Sequence, residues 1–307
     1  MLVATVAALV AAAVFAASTA LLHRSAGIVA DSTGAGELGK FVTRTSVHPV
    51  WVAGMGGQIA GFGLHALALR DGPLTLVQPL MVTEVVFALP LRQLMEGRRL
   101  RKSEMAWAAV LCAGLGGFLA AATPSQGRRF TPATVPTVVT VAGIGFGMAL
   151  CAYLGRSARG KWPATVLGVG AGLGFAGAAG GLKQATIELS HGVGVVFTTW
   201  PIYAVAVAGA AGMLLTQLAF RAAPLRASLP AMSTVDTVVS LAIGVAVFDE
   251  PFRVSPLALS GEVAGLVLVV VALACLTSGE ATGGSRPAGP RAVCEIEEKP
   301  LVGRDVA

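Results

Sequence analysis

The sequence predicts an all-α polytopic membrane protein of about nine transmembrane helices, arranged as two inverted-topology repeats of four and five spans. Three observations carry this. First, 55% of the 307 residues are hydrophobic and only 12% are charged, a composition outside that of soluble domains. Second, the apolar residues fall in unbroken blocks of about 20, the helical length that crosses a hydrocarbon core. Third, one phrase is written twice at an offset of 151 residues: ALRDGPLTLVQPLMVTE from Ala68 to Glu84, and AFRAAPLRASLPAMSTVD from Ala219 to Asp236.

The first block, Met1 to Leu22, carries no charged side chain. Its alanine-rich start looks like a signal core, but no basic residue precedes it and Arg24 follows it, so it reads as a retained span. Residues 23–49 are too polar to cross and form a loop. The next blocks are Val50 to Leu69, Pro73 to about Leu94 and Met105 to Ala122, which complete a first repeat over 1–122. TPSQGRRFT, 123–131, is a linker. The second repeat, 132–277, holds Ala133 to Leu154, Trp162 to Leu182, Pro201 to Phe220, Leu225 to Phe248 and Leu257 to Thr277. Each block is expected to be helical, because lipid offers no partner to an open backbone. The remainder, 278–307, is polar and rich in Pro and Gly, the composition of a disordered tail.

Glycine is abundant, with 39 residues, and concentrates in GVGAGLGFAGAAGG (Gly168 to Gly181). Such a run weakens a helix in water and lets helices approach closely in a membrane. It suits either a homodimer contact or a sliding interface within one chain. Of the four cysteines, Cys112, Cys151 and Cys275 lie in apolar blocks and Cys294 in the tail. Neither a disulfide framework nor a metal site follows from that spacing, and no cofactor is implied.

The net charge of +6 would suggest nucleic acid in a soluble protein; here it sets orientation, and no nucleic-acid partner is expected. With nine crossings the loops alternate sides. Arg24, Lys40 and Arg44, the turn EGRRLRKSE, the turn GRSARGK, Arg221 with Arg226, and the tail fall on one side. Arg70, Arg128, Arg129, Lys183 and Arg253 fall on the other. The excess is 16 to 5, or 12 to 5 without the tail. By the positive-inside rule the tail is cytoplasmic and the N-terminus outside, in a cell membrane.

Within the repeated phrase, Ala68, Arg70, Pro73, Leu74, Pro79, Met81 and Thr83 match Ala219, Arg221, Pro224, Leu225, Pro230, Met232 and Thr234. The acids Glu84 and Asp236 then fall one position out of step. Each copy leads into an apolar run that ends in an acidic turn, LMEGRRL or VFDEPFR. Because the copies begin five crossings apart, they lie upside down relative to one another, the arrangement on which many secondary transporters are built.

These residues carry a resemblance. A span ending ALxxxPL, a second span that begins with prolines and holds an acid in its first half, and a turn containing Glu resemble the drug/metabolite transporter superfamily of EamA type. The similar stretches are Ala68 to Ala121 and Trp200 to Leu276, and PLTLVQPLMVTEVVFALPL and TTWPIYA resemble actinobacterial members. The resemblance implies transport of a small metabolite or drug-like solute by alternating access, directed outward. The family has five plus five spans, and this chain departs from it by lacking one in the first half. Nine spans and a Pro-Leu turn are also similar to magnesium transporters of the NIPA type, which makes a divalent-cation carrier the alternative.

An acid inside an apolar span costs about 2.5 to 3.5 kcal/mol on the insertion scale and so faces a cavity or a partner. Glu84 and Asp236 are therefore the leading candidates for proton coupling or for holding a cationic substrate; the competing reading is a protonated acid bonded to Thr83, Thr234 or Ser233. Lys183 fits pairing with an acid or an anionic substrate, but the expectation is that it snorkels to the interface. Gln58, His65, Gln78 and Gln217 add polar groups to the repeat spans, and Pro73, Pro79, Pro224 and Pro230 form the turn motif. Glu96, Asp249 and Glu250 read as solvated turn charges, and Glu262 as an acid at a helix N-terminus. No HExxH, GxSxG or Walker lysine motif is present, so the chain is not expected to be an enzyme. A non-transporting membrane scaffold is the remaining alternative. The partners expected are a small-molecule substrate and the lipid bilayer.

Overall fold

The computed structural model describes residues 1–32, 47–96, 101–125, 127, 134–157, 162–222, 228–251 and 255–283. Their regular structure is helical: α1 (Leu2–Ser32), α2 (Pro49–Asp71), α3 (Leu74–Met81), α4 (Glu84–Glu96), α5 (Lys102–Ala122), α6 (Thr134–Ser157), α7 (Trp162–Leu189), α8 (Val193–Thr198), α9 (Trp200–Ala222), α10 (Leu229–Phe248) and α11 (Pro256–Gly283). Nine segments among the described residues are long and apolar enough to cross a membrane, as the sequence predicts, and the all-α membrane fold stands.

Three boundaries differ from the expectation. Helix α1 continues past Leu22 to Ser32, so the first part of the polar loop is helical; residues 33–46 lie outside the described residues. The sixth crossing extends to Leu189, well beyond Leu182. Helix α11 runs to Gly283, into the segment expected to be disordered, and residues 284–307 lie outside the described residues.

The third crossing, Leu74–Leu91, is two helices in series. Pro79 sits inside α3, where it has no N–H to give to the preceding turn and its ring crowds that turn's carbonyl. The helix stops within a turn of it. Around the break the backbone tightens to shorter bonds: Val82 N–H to Pro79 O at 3.2 Å, Thr83 N–H to Leu80 O at 3.0 Å, and Val85 N–H to Val82 O at 3.2 Å. The Thr83 hydroxyl also donates to Leu80 O at 2.6 Å. These local bonds satisfy groups that lipid would leave orphaned.

Helix α7 is the central post. It packs along α9 and α10 and against α6, and touches α2 and α3. Its glycines make this possible. A Cβ at Gly172 would lie 2.5 Å from Met232 O and 3.0 Å from Asp236 N of α10, and one at Gly174 would lie 2.9 Å from Gly212 Cα of α9. The glycine run thus serves contacts within the chain. On the other flank α1 packs along α2 and against α3 and α4, while α5 pairs with α11. The largest buried apolar cluster, including Ala4, Leu69, Leu74, Val77, Leu182 and Phe248, gathers at the end of the bundle where α3 begins and α10 finishes.

Candidate functional site

Two polar centres lie inside this apolar bundle. The first is a cavity of about 400 Å³ lined by residues of α1, α2, α3, α4, α7 and α10. The break after α3 puts Glu84 in the first turn of α4, where the free amide ends of a helix favour an acid, and its side chain lines the cavity. From the opposite wall Asp236 of α10 lines the same space, one turn along from Met232 and Ser233. Helix α2 contributes Gln58, Phe62 and His65 at helical spacing, which brings all three to one face. Four of the residues singled out in the sequence for coupling, Glu84, Asp236, Gln58 and His65, therefore meet in one space.

Local bonds organise these groups. Gln58 Nε2 donates to Thr19 Oγ1 at 3.3 Å and so ties α2 to α1. The rings of His65 and Phe62 meet in a T-shape, with centroids 6.4 Å apart, and the His65 Nε2 is buried with no hydrogen-bond partner among the described residues. Ser240 donates to Asp236 Oδ1 at a long 3.4 Å. Of the hydroxyls considered as locks for the acids, that of Thr83 donates instead to Leu80 O. Neither Thr83 nor Thr234 lines the cavity, whereas Gln78, Ser233 and Thr237 do. Gln217 is exposed on α9 and takes no part. Pro73 precedes α3, Pro230 lies in the first turn of α10, and Pro224 lies outside the described residues.

The second centre is a buried clasp that corrects two expectations. Lys183 does not reach the interface, because α7 continues past it, and only 8% of its surface is exposed. Glu250 is no solvated turn charge; it is 2% exposed. Its carboxylate accepts Leu74 N–H at 2.7 Å on Oε1 and Thr75 N–H at 2.9 Å on Oε2, capping α3. Lys183 Nζ donates to the same Oε1 and to Gly72 O at 3.4 Å, and lies 5.0 Å from the centroid of the Phe248 ring. The chain reversal that delivers Glu250 is built from Asp249 in the left-handed region (φ 56°) and from Glu250 N–H bonded to Gly244 O at 3.0 Å.

One sequence signal could have revealed the clasp. Helix α3 begins after Gly72-Pro73, with no Ser, Thr, Asp or Asn to accept its first amides, so those amides require an acceptor from elsewhere. A further correction concerns Glu262. It is the seventh residue of α11, past the first turn, and it is buried, with neither carboxyl oxygen hydrogen-bonded among the described residues.

Among the described residues no group of three or more His, Cys, Asp or Glu comes together to hold a metal. No family model and no solved structure matches the chain. An uncharacterized protein of Corynebacterium glutamicum is 29% identical over 244 residues, which is 78% of this chain and 83% of the relative.

Proposed function

We propose that the protein is a secondary transporter that carries a small solute by alternating access, with Glu84 and Asp236 as the groups that hold the solute or its coupling proton. The observation that carries this reading is that two intramembrane acids, on helices from different halves of the sequence, line one cavity. Acids held within membrane spans mark ion and substrate pathways. A cavity of this size suits a small organic solute.

The packing supports two related halves. Helix α1 lies against α2, α3 and α4 as α7 lies against α9 and α10, and α5 meets α11 much as α3 meets α10. That pattern is what an inverted repeat with an internal pseudo-twofold axis produces, in keeping with the resemblance to EamA-type drug/metabolite transporters. Sites in such proteins lie near the membrane midplane between the halves, and discontinuous helices help to form them; the break before Glu84 fits that role.

The clasp supplies a closed end. Opening there requires the start of α3 to leave the Glu250 carboxylate and Lys183. With the arginine-rich loops cytoplasmic, the clasp lies on the outer face of a plasma-membrane protein and the cavity approaches the cytoplasmic side, the arrangement of an exporter waiting to load. A magnesium carrier has less support, since the ion favours a rigid set of oxygen ligands and retained water, whereas three phenylalanines line this cavity.

The test is proton movement across proteoliposomes on adding candidate solutes, comparing the intact protein with Glu84→Gln and Asp236→Asn. Solute-driven proton flux that either substitution abolishes supports the reading. Equal flux in both variants removes the acids from the mechanism, and a response to metal ions in place of organic solutes favours the cation carrier.

A further inference from the structure

We infer that the cavity selects organic cations: a single positive charge on an aromatic or bulky apolar body. The inference rests on the transporter reading above and narrows its substrate class.

Charge comes first. Two carboxyl groups, Glu84 and Asp236, line the cavity, and among the described residues no lysine or arginine does. The nearest candidate in sequence is Lys183, next to the lining residue Leu182, but its ammonium is already held by Glu250 and Gly72 O in the clasp. An anion would face two acids with no counter-charge, and a zwitterion such as an amino acid would leave its carboxylate without a cationic partner among the described residues. Leaving a buried charge without a partner is among the largest penalties available to a binding site. A cation meets the opposite situation.

The walls then distinguish one cation from another. Phe15, Phe62 and Phe175 line the cavity, and aromatic rings attract a poorly hydrated organic cation. Met81 and Met232 add polarizable, adaptable surface. A divalent metal gains nothing from such walls, and about 400 Å³ leaves it far from most oxygen atoms at once. His65, whose ring meets that of Phe62 on the same cavity wall, adds one more polar side chain to the lining.

The experiment uses the full chain in lipid nanodiscs and four ligands that share one phenylethyl body: trimethyl(2-phenylethyl)ammonium, phenylalanine, 3-phenylpropionate and 2-phenylethanol. Calorimetric titration is expected to give the ammonium at least about tenfold tighter binding than the other three, a difference of about 1.4 kcal/mol. Asp236→Asn and Glu84→Gln should each remove that preference, while Gln217→Ala on the outer face of α9 leaves it intact. The ranking on the unmodified protein is itself decisive if either acid variant fails to fold. Tighter binding of the zwitterion or the anion, or no binding of the ammonium, overturns the inference. Counterflow of the same ligands in proteoliposomes separates the two readings: selective ammonium binding without counterflow keeps the cation site and removes the transporter, whereas counterflow of phenylalanine or phenylpropionate keeps the transporter and removes the cation class.

Discussion

The third and eighth crossings begin from the same phrase and become different helices. In the third, α3 starts at Leu74 because Glu250 accepts the amides of Leu74 and Thr75. That early start leaves Pro79 inside the helix, the helix breaks, and Glu84 opens a new one. In the eighth, the described helix starts at Leu229, so the matching Pro230 falls in its first turn, where a missing N–H costs nothing. Helix α10 then runs unbroken through Asp236 to Phe248. A proline's effect is therefore decided by where its helix begins, and that start is decided by an acid 176 residues away.

Removing the acid should break this contrast most severely. Glu250→Ala leaves Lys183 buried without its counter-charge and the start of α3 uncapped; taking one partner from a buried pair costs about 3 to 5 kcal/mol. Thermal unfolding in detergent would measure the loss, and hydrogen exchange should accelerate at the Leu74 and Thr75 amides while those within α10 change less. A Lys183→Met, Glu250→Leu double change should recover much of the stability, because an apolar pair of similar volume can replace a buried ion pair. Unchanged exchange at Leu74 and Thr75 in Glu250→Ala would mean that the cap is not what starts α3.

Crowding the joint between the two crossings should have the next largest effect. A Cβ at Gly244 would lie 2.5 Å from Glu250 Oε2 and 2.9 Å from Thr75 Cγ2, so Gly244→Ala is expected to cost about 1 to 3 kcal/mol in unfolding experiments. Gly56→Ala, where a Cβ meets nothing within 4 Å, is the matched control and should be close to neutral.

Smaller effects should follow at the break itself. Thr83→Val removes the hydroxyl bond to Leu80 O, worth about 1 kcal/mol, and should show as a modest drop in unfolding temperature. Pro79→Ala sharpens the comparison by letting α3 and α4 join as α10 does. It should leave stability equal or slightly raised, yet reorient Glu84 and reduce cation binding in the nanodisc titration. Binding that survives Pro79→Ala would mean that the broken helix is not needed to aim the acid.

Much of this was legible in the sequence. Span number follows from hydropathy, because a backbone in lipid must satisfy itself and only a long apolar helix does so. The two acids stood out for the same reason, and their meeting with Gln58 and His65 agrees with the helical spacing of α2 and the repeated phrase. Lys183 and Glu250 were misplaced because each looked ordinary locally. A lysine six residues from the end of its helix and an acid in a turn are normally solvated, and nothing nearby indicates that they face one another.

By itself, then, the sequence determined the solvent of this chain, its helical content and the rarity of charge within it, since these depend on composition and period along single segments. Tertiary structure alone decided which helix breaks, which acid faces a cavity and which is spent on a cap. Those outcomes depend on whether an orphaned amide or a buried ammonium finds a partner, and a partner 67 or 176 residues distant is specified by packing, not by spacing.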